Sequence, residues 1–267
     1  MQLAIIDAFA ERAFQGNPAA VCLLEREEPA TWMQSLASEM NLSETSFVRP
    51  VDDGSYEIRW FTPMTEVDLC GHATLATAHF LWTKGQIAGD TLRFQSRSGT
   101  LTCYRRNDFI VLDFPATTVA IQTAPPALLT SLGIQQAITT GKSRFDWLIE
   151  VAEETELRAL QPDFTLLKQV ATRGVIVTCR SHHAQFDFMS RFFAPAAGIN
   201  EDPVTGSAHC CLGPFWGERL NKGEMRAFQA SQRGGVIGIQ LAGDRVQLSG
   251  RAVTVLCGQL QVSSDLS

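Results

Sequence analysis

Short runs of alternating apolar and polar residues fill most of the chain, interrupted by two longer stretches that lack a polar face. Residues 3–9 and 19–24 read as strands on either side of the turn Gly16-Asn17-Pro18. Residues 31–40 repeat at helical spacing with Trp32, Leu36 and Met40 on one face, Pro29 ahead of the start and Asn41 as the stop. Residues 47–50 and 56–61 alternate again, joined by the hairpin signal Asp53-Gly54. Residues 71–84 are apolar nearly all round and close at Gly85, the pattern of a helix buried on every side. Strands at 91–94, 99–104 and 109–114 lead to Pro115.

Residues 117–126 carry few large apolar side chains and the pair Pro125-Pro126, which marks a link between two halves. Beyond it a short helix at 127–132 precedes strands at 144–151, 174–180 and 186–193, with short helices at 153–160 and 164–170. Residues 206–220 form the second largely apolar helix, expected to end towards Gly223. Strands at 225–229, 236–241, 245–248 and 252–256 finish the chain.

The two halves echo each other. Arg59-Trp-Phe-Thr-Pro63 returns as Arg191-Phe-Phe-Ala-Pro195, 132 positions later. An acidic pair follows each copy, Glu66 with Asp68 and Glu201 with Asp202, and then Gly71-His72-Ala73 and Gly206-Ser207-Ala208 open the two buried helices. Such order implies an α+β duplication: residues 1–116 around a central helix 71–84, and residues 127–267 around a central helix 206–220, with the final strand free to pack on the first half.

Composition narrows the function classes. At 267 residues each half can bury its own core without metal or disulfide support. A net charge of −6, with Arg105-Arg106 the only adjacent basic pair, argues against nucleic acid as a partner. Seven scattered cysteines, an odd number, fit a reducing compartment, and no run approaches the ~20 apolar residues of a membrane span. The N-terminus has an acid where a signal peptide would be apolar. A soluble cytoplasmic protein is expected.

Few residues can carry chemistry. Glycines at the two helix starts leave backbone N–H groups at the positive end of each helix dipole, a place for a carboxylate. Glu44, in Asn41-Leu-Ser-Glu44, joins a helix end to an apolar strand; it is either a capping side chain or a partly shielded acid suited to taking and returning a proton. His72 at a helix N-terminus is expected to stay neutral and to donate, or else to serve as a cap or core side chain. Cys70 reads as a thiolate nucleophile or a packed thiol. Metal-ligand spacings, a P-loop, a nucleotide-type glycine fingerprint and a Gly-x-Ser-x-Gly elbow are absent, so neither metal nor cofactor is expected.

Taken together, Ile6-Asp-Ala-Phe9, Phe14-Gln-Gly-Asn-Pro18, Met40-Asn-Leu-Ser-Glu44, Phe61-Thr-Pro63, Gly71-His72 and Glu201-Asp202-Pro-Val-Thr-Gly-Ser207-Ala208 resemble the PhzF-like isomerases of phenazine biosynthesis. The resemblance runs from residue 5 to about residue 214. It implies a diaminopimelate-epimerase-like fold of two pseudo-symmetric domains, each a mixed sheet around a central helix, with a small carboxylate substrate in the cleft between them. It also implies a cofactor-free reaction and a homodimer. By resemblance Glu44, His72 and Asp202 are catalytic, Glu44 shuttling the proton. Ser43, Gly71, Ala73, Thr205, Gly206 and Ser207 are then substrate-binding. Cys70 and Ala73 flank Gly71-His72 where the dedicated phenazine enzymes carry alanine and proline, which leaves the substrate open. An amino-acid racemase using Cys70 and a binding protein without turnover remain the alternatives.

Overall fold

The computed structural model describes residues 1–262. In chain order the first elements are β1 (Gln2–Ala8), β2 (Asn17–Leu23), α1 (Ala30–Met40), β3 (Glu44–Pro50), β4 (Tyr56–Phe61), β5 (Glu66–Val67), α2 (Gly71–Thr83), β6 (Thr91–Ser96), β7 (Gly99–Arg106) and β8 (Phe109–Pro115). Then come β9 (Ala120–Ile121), α3 (Pro126–Leu132), β10 (Thr139–Lys142), β11 (Asp146–Glu150), α4 (Glu154–Ala159), α5 (Phe164–Leu167), β12 (Gly174–Arg180) and β13 (Phe188–Phe193). A 3-10 turn at Pro195–Ala197 leads to α6 (Gly206–Leu220), β14 (Glu224–Gln229), β15 (Gly235–Ala242), β16 (Arg245–Gly250) and β17 (Ala252–Gln259). Met1–Asp113 and residues 249–262 make one compact unit, and Phe114–Leu248 the other. Among the described residues no helix is long and apolar enough to cross a membrane.

Strand pairing in the first unit runs β1–β2 antiparallel, β2–β3 parallel, β3–β4 antiparallel, β4–β6 parallel and β6–β7 antiparallel. The second unit repeats that order as β10–β11, β11–β12, β12–β13, β13–β14 and β14–β15. Parallel neighbours need a crossover, and each unit supplies it with helices: α1 and α2 in the first, α4 with α5 and then α6 in the second. Both units are therefore α+β, built on one mixed-sheet plan. In the first unit β17 returns to pair antiparallel with β1, Ala4 opposite Cys257.

The central helix α2 packs on β1, β2, β3 and β17. Leu75, Ala76 and Phe80 are almost fully buried, and cutting Phe80 back to alanine would cost about 3–5 kcal/mol. Two buried threonines are tolerated because their hydroxyls return to the helix backbone, Thr74 to the Cys70 carbonyl at 2.6 Å and Thr77 to Ala73 at 2.7 Å. Gln86 N–H closes the end on the Leu81 carbonyl, with Gly85 left-handed at φ 68°. The second central helix, α6, tolerates Pro214 in its interior. That proline has no N–H for the Cys210 carbonyl, and Thr117 N–H takes the vacant acceptor at 3.0 Å. The helix ends at Leu220, earlier than Gly223, because Asn221 adopts the left-handed conformation at φ 51°.

The arginine motifs occupy matching strands, β4 and β13. Arg59 grips Glu66 through Nε and Nη2 at 2.7 and 2.9 Å, and Arg191 grips Glu201 with the same two distances. Each guanidinium also lies over the phenylalanine two residues on, Phe61 at 5.2 Å and Phe193 at 4.9 Å. Three extra residues separate proline from glutamate in the second copy, and the Pro195–Ala197 turn accommodates them. The paired glutamates correspond. Asp68 and Asp202 do not, since Asp68 is exposed and Asp202 buried.

Candidate functional site

Glu44 opens β3, three residues after Asn41 ends α1 in a left-handed turn at φ 50°. Alternate residues of a strand share a face. Ser46, two positions on, therefore points with Glu44 towards α2, where its hydroxyl meets that of Thr77 at 2.7 Å. That hydrogen bond locks the strand against the helix and brings Glu44 to the helix start. There Glu44 Oε2 stands 3.1 Å from His72 Nε2, with the two side chains 14% and 5% exposed. The atoms are close enough for an ion pair but not aligned as a hydrogen bond. Such geometry commonly tightens only when substrate binds.

His72 Nδ1 faces Asn17 Nδ2 at 3.2 Å and Cys70 Sγ at 3.5 Å. The ring was expected to stay neutral at the helix start, and the structure corrects this. Burial opposes a charge on it, but the Cys70 sulfur, as a hydrogen-bond partner of the ring, and the Glu44 carboxylate outweigh burial and hold its pKa well above the ordinary histidine value. Cys70, the residue preceding α2, is buried. Burial first, and then the neighbouring Glu44 charge, push its thiol up to about 11, so it is protonated at neutral pH. Glu44, Cys70 and His72 each offer one donor atom within 4.8 Å of the others, a spacing that could admit a cation.

Gly71 and Ala73 lie beside His72 in the first turn of α2, which no side chain caps. Ser43 precedes Glu44 and is half-buried.

In the second unit, Asp202 and Thr205 are brought together. The Thr205 hydroxyl donates to Asp202 Oδ2 at 2.6 Å and accepts from Gln229 Nε2 at 3.2 Å. Gln229, fully buried on β14, also accepts from Thr205 N–H at 2.8 Å and donates to the Asp202 carbonyl at 2.7 Å. Thr205 directly precedes Gly206, as Cys70 directly precedes Gly71, and both have extended backbones. Ser207 stands apart from this network: it is exposed, and its hydroxyl accepts from Arg173 Nη2 at 3.1 Å. Arg173 is in turn held by both carboxylate oxygens of the buried Asp146. His209, one turn into α6, donates from Nδ1 to the Thr205 carbonyl at 2.8 Å and stacks on Phe188.

Asn17, Gln229, Arg173 and Asp146 were not singled out in the sequence. In the sequence Asn17 reads as a turn residue and as part of the motif Phe14-Gln-Gly-Asn-Pro18, with no role of its own. A further signal is its polar side chain at the head of an apolar strand.

A family model described as phenazine biosynthesis-like protein matches residues 6–258. An uncharacterized isomerase of Halalkalibacterium halodurans is 54% identical over 96% of this chain and 97% of its own length. The crystal structure of a PhzF family phenazine biosynthesis protein from Enterococcus faecalis superposes with a TM-score of 0.93 at 41% identity, covering 98% of this chain and 99% of that one. A hydroxyproline epimerase from Agrobacterium vitis shares the fold alone, with a TM-score of 0.63 at 11% identity over 97% of this chain and 91% of that one.

Proposed function

The chain belongs to the phenazine biosynthesis-like protein family, and on that premise we propose that it is an isomerase moving a proton between carbons of a small carboxylate without a cofactor. The observation that carries the reading is the shielded Glu44–His72 pair, Oε2 to Nε2 at 3.1 Å. Glu44 acts as the base. It takes a proton from one carbon while the electron pair of that C–H bond shifts into the substrate's conjugated system, and it returns the proton to another carbon. Nothing is oxidised or reduced, and no atom leaves. His72 steadies or shares that proton from the start of α2.

Asp202 serves to orient or relay, with its carboxylate already engaged by Thr205. Ser43, Gly71, Ala73, Gly206 and Ser207 supply hydroxyl and N–H donors, each near the helix start of its own unit and suited to a carboxylate, while Thr205, whose own donors go to Gln229 and Asp202, binds substrate through that network. A homodimer belongs to the same reading, and light scattering in solution tests it.

A two-thiol racemase finds less support. Cys70 is held as a thiol, and Thr205 fills the corresponding place before α6. The test of the reaction class is deuterium incorporation from heavy water into a panel of small cyclic and amino carboxylates. Incorporation into a carbon position supports an isomerase. Ligand-induced thermal stabilisation without incorporation points instead to a binding protein.

A further inference from the structure

Which ring nitrogen of a neutral histidine carries the proton decides whether it offers a neighbour a hydrogen or a lone pair. The nitrogen of His72 that faces Glu44 is Nε2, and the other, Nδ1, faces the carboxamide nitrogen of Asn17 at 3.2 Å. A carboxamide nitrogen only donates, so Nδ1 in that contact is the acceptor and the ring proton falls on Nε2. Cys70, a thiol 3.5 Å from the same Nδ1, is a second donor of the same sense.

Asn17 is fully buried, and the backbone before it is shaped to deliver it there. The connection from β1 to β2 holds three left-handed residues, Phe9 (φ 56°), Phe14 (φ 70°) and Gly16 (φ 67°). Two of them are phenylalanines, for which that conformation is unfavourable and persists only where surrounding structure enforces it. The buried Asp7 carboxylate provides such a restraint by accepting the Phe14 N–H at 2.7 Å. At Gly16 the chain passes so close to β1 that a Cβ would lie 2.1 Å from the Ala8 carbonyl oxygen. β2 then runs parallel to β3 with Ala19 opposite Glu44, so Asn17, two residues upstream of Ala19, points to the same face.

We propose that Asn17 is a positioning residue whose carboxamide, whenever the His72 ring is neutral, fixes its proton on Nε2, the nitrogen that faces Glu44. The purpose of that tautomer rests on Glu44 being the proton shuttle, but its detection does not. Long-range proton–nitrogen correlation spectra of ¹⁵N-labelled protein, taken where the ring is neutral, report which nitrogen is protonated without any substrate. The wild-type ring is expected to show a protonated Nε2 and a bare Nδ1. Asn17→Asp replaces the donor by an acceptor and is expected to move the proton to Nδ1. It should also slow substrate-dependent deuterium exchange at least about tenfold, as losses of ring-orienting partners do, while near-ultraviolet circular dichroism stays native.

A wild-type ring protonated on Nδ1 overturns the proposal, and this measurement needs no variant to fold. Retention of the Nε2 proton in Asn17→Asp overturns it as well, as does a reversed tautomer with undiminished exchange. If the wild-type ring carries its proton on Nε2 but no carboxylate exchanges, the shuttle reading of Glu44 has failed and the tautomer assignment stands.

Discussion

The hydroxyls of Ser46 and Thr77 lie 2.7 Å apart in the buried seam between β3 and α2, and that contact aims Glu44 at the helix start. Thr77→Val keeps the shape of the side chain but leaves the Ser46 hydroxyl with the Ala20 carbonyl at 3.2 Å as its remaining partner. The expected cost is about 0.5–1.5 kcal/mol of stability in denaturant melts, together with slower exchange as Glu44 loses its brace. Wild-type stability in this variant would show that the contact does not hold the two elements together.

Cys70→Ser distinguishes the proton-shuttle account from thiol chemistry. With the thiol pushed up to about 11, almost none is thiolate at neutral pH, and the shuttle account does not use it. Exchange is expected to stay within about tenfold of wild type, far from the loss that follows removal of an essential acid-base group. Complete loss in a folded Cys70→Ser protein would favour the racemase mechanism.

His209 gives the fold a defined acid sensitivity. Burial lowers its pKa from the ordinary 6.5 to about 4, against the weaker pull of the Thr205 carbonyl, which accepts its Nδ1–H. The unfolded chain therefore takes up a proton as the pH falls through 6.5 while the folded protein does not. The associated stability is complete above that pH and is lost as pH falls towards 4, by on the order of 3 kcal/mol. Urea melts at about pH 7.5 and about pH 4.5 should differ less for His209→Asn than for wild type by roughly that amount. An unchanged pH dependence would contradict the assignment.

Two glycines with nearly the same backbone separate conformational strain from crowding. Gly16 and Gly85 have φ of 67° and 68°, but only Gly16 lacks space for a Cβ. Gly85→Ala is expected to cost about 1 kcal/mol and Gly16→Ala about 3 kcal/mol or more, measured by denaturant unfolding. Equal costs would mean that the close approach to Ala8 relaxes freely.

The duplication could be read from the sequence because its parts are local: an arginine-aromatic strand, an acid, a glycine and an apolar helix follow one another in each half. The register between copies was harder to read. Arg59 and Arg191 are 132 positions apart while Gly71 and Gly206 are 135 apart, and only the structure assigns the difference to the turn at Pro195–Ala197. Asp68 and Asp202, paired by order of appearance, are not equivalent positions: Asp68 stands two residues after its glutamate and Asp202 one, and only Asp202 is buried. Glu44 and His72 stood out through their motifs, but the motifs gave no role to the partners that position the site residues. Asn17 reaches His72 across 55 positions, and Gln229 reaches Thr205 across 24, distances over which periodicity and turn signals carry nothing. The neutral state expected of His72 failed for a related reason: the helix start was visible in the sequence, whereas the proximity of Cys70 and Glu44 to the ring was created by folding.

The central claim is that Glu44 carries the proton, and Glu44→Gln tests it most directly. Glutamine keeps the shape and much of the hydrogen bonding but cannot exchange a proton as an acid-base group. With a carboxylate on which the wild type incorporates deuterium, the variant should bind but exchange at least about 10⁴-fold more slowly, the upper end of what one acid-base group supplies. Exchange by a folded Glu44→Gln protein at the wild-type rate would contradict the account.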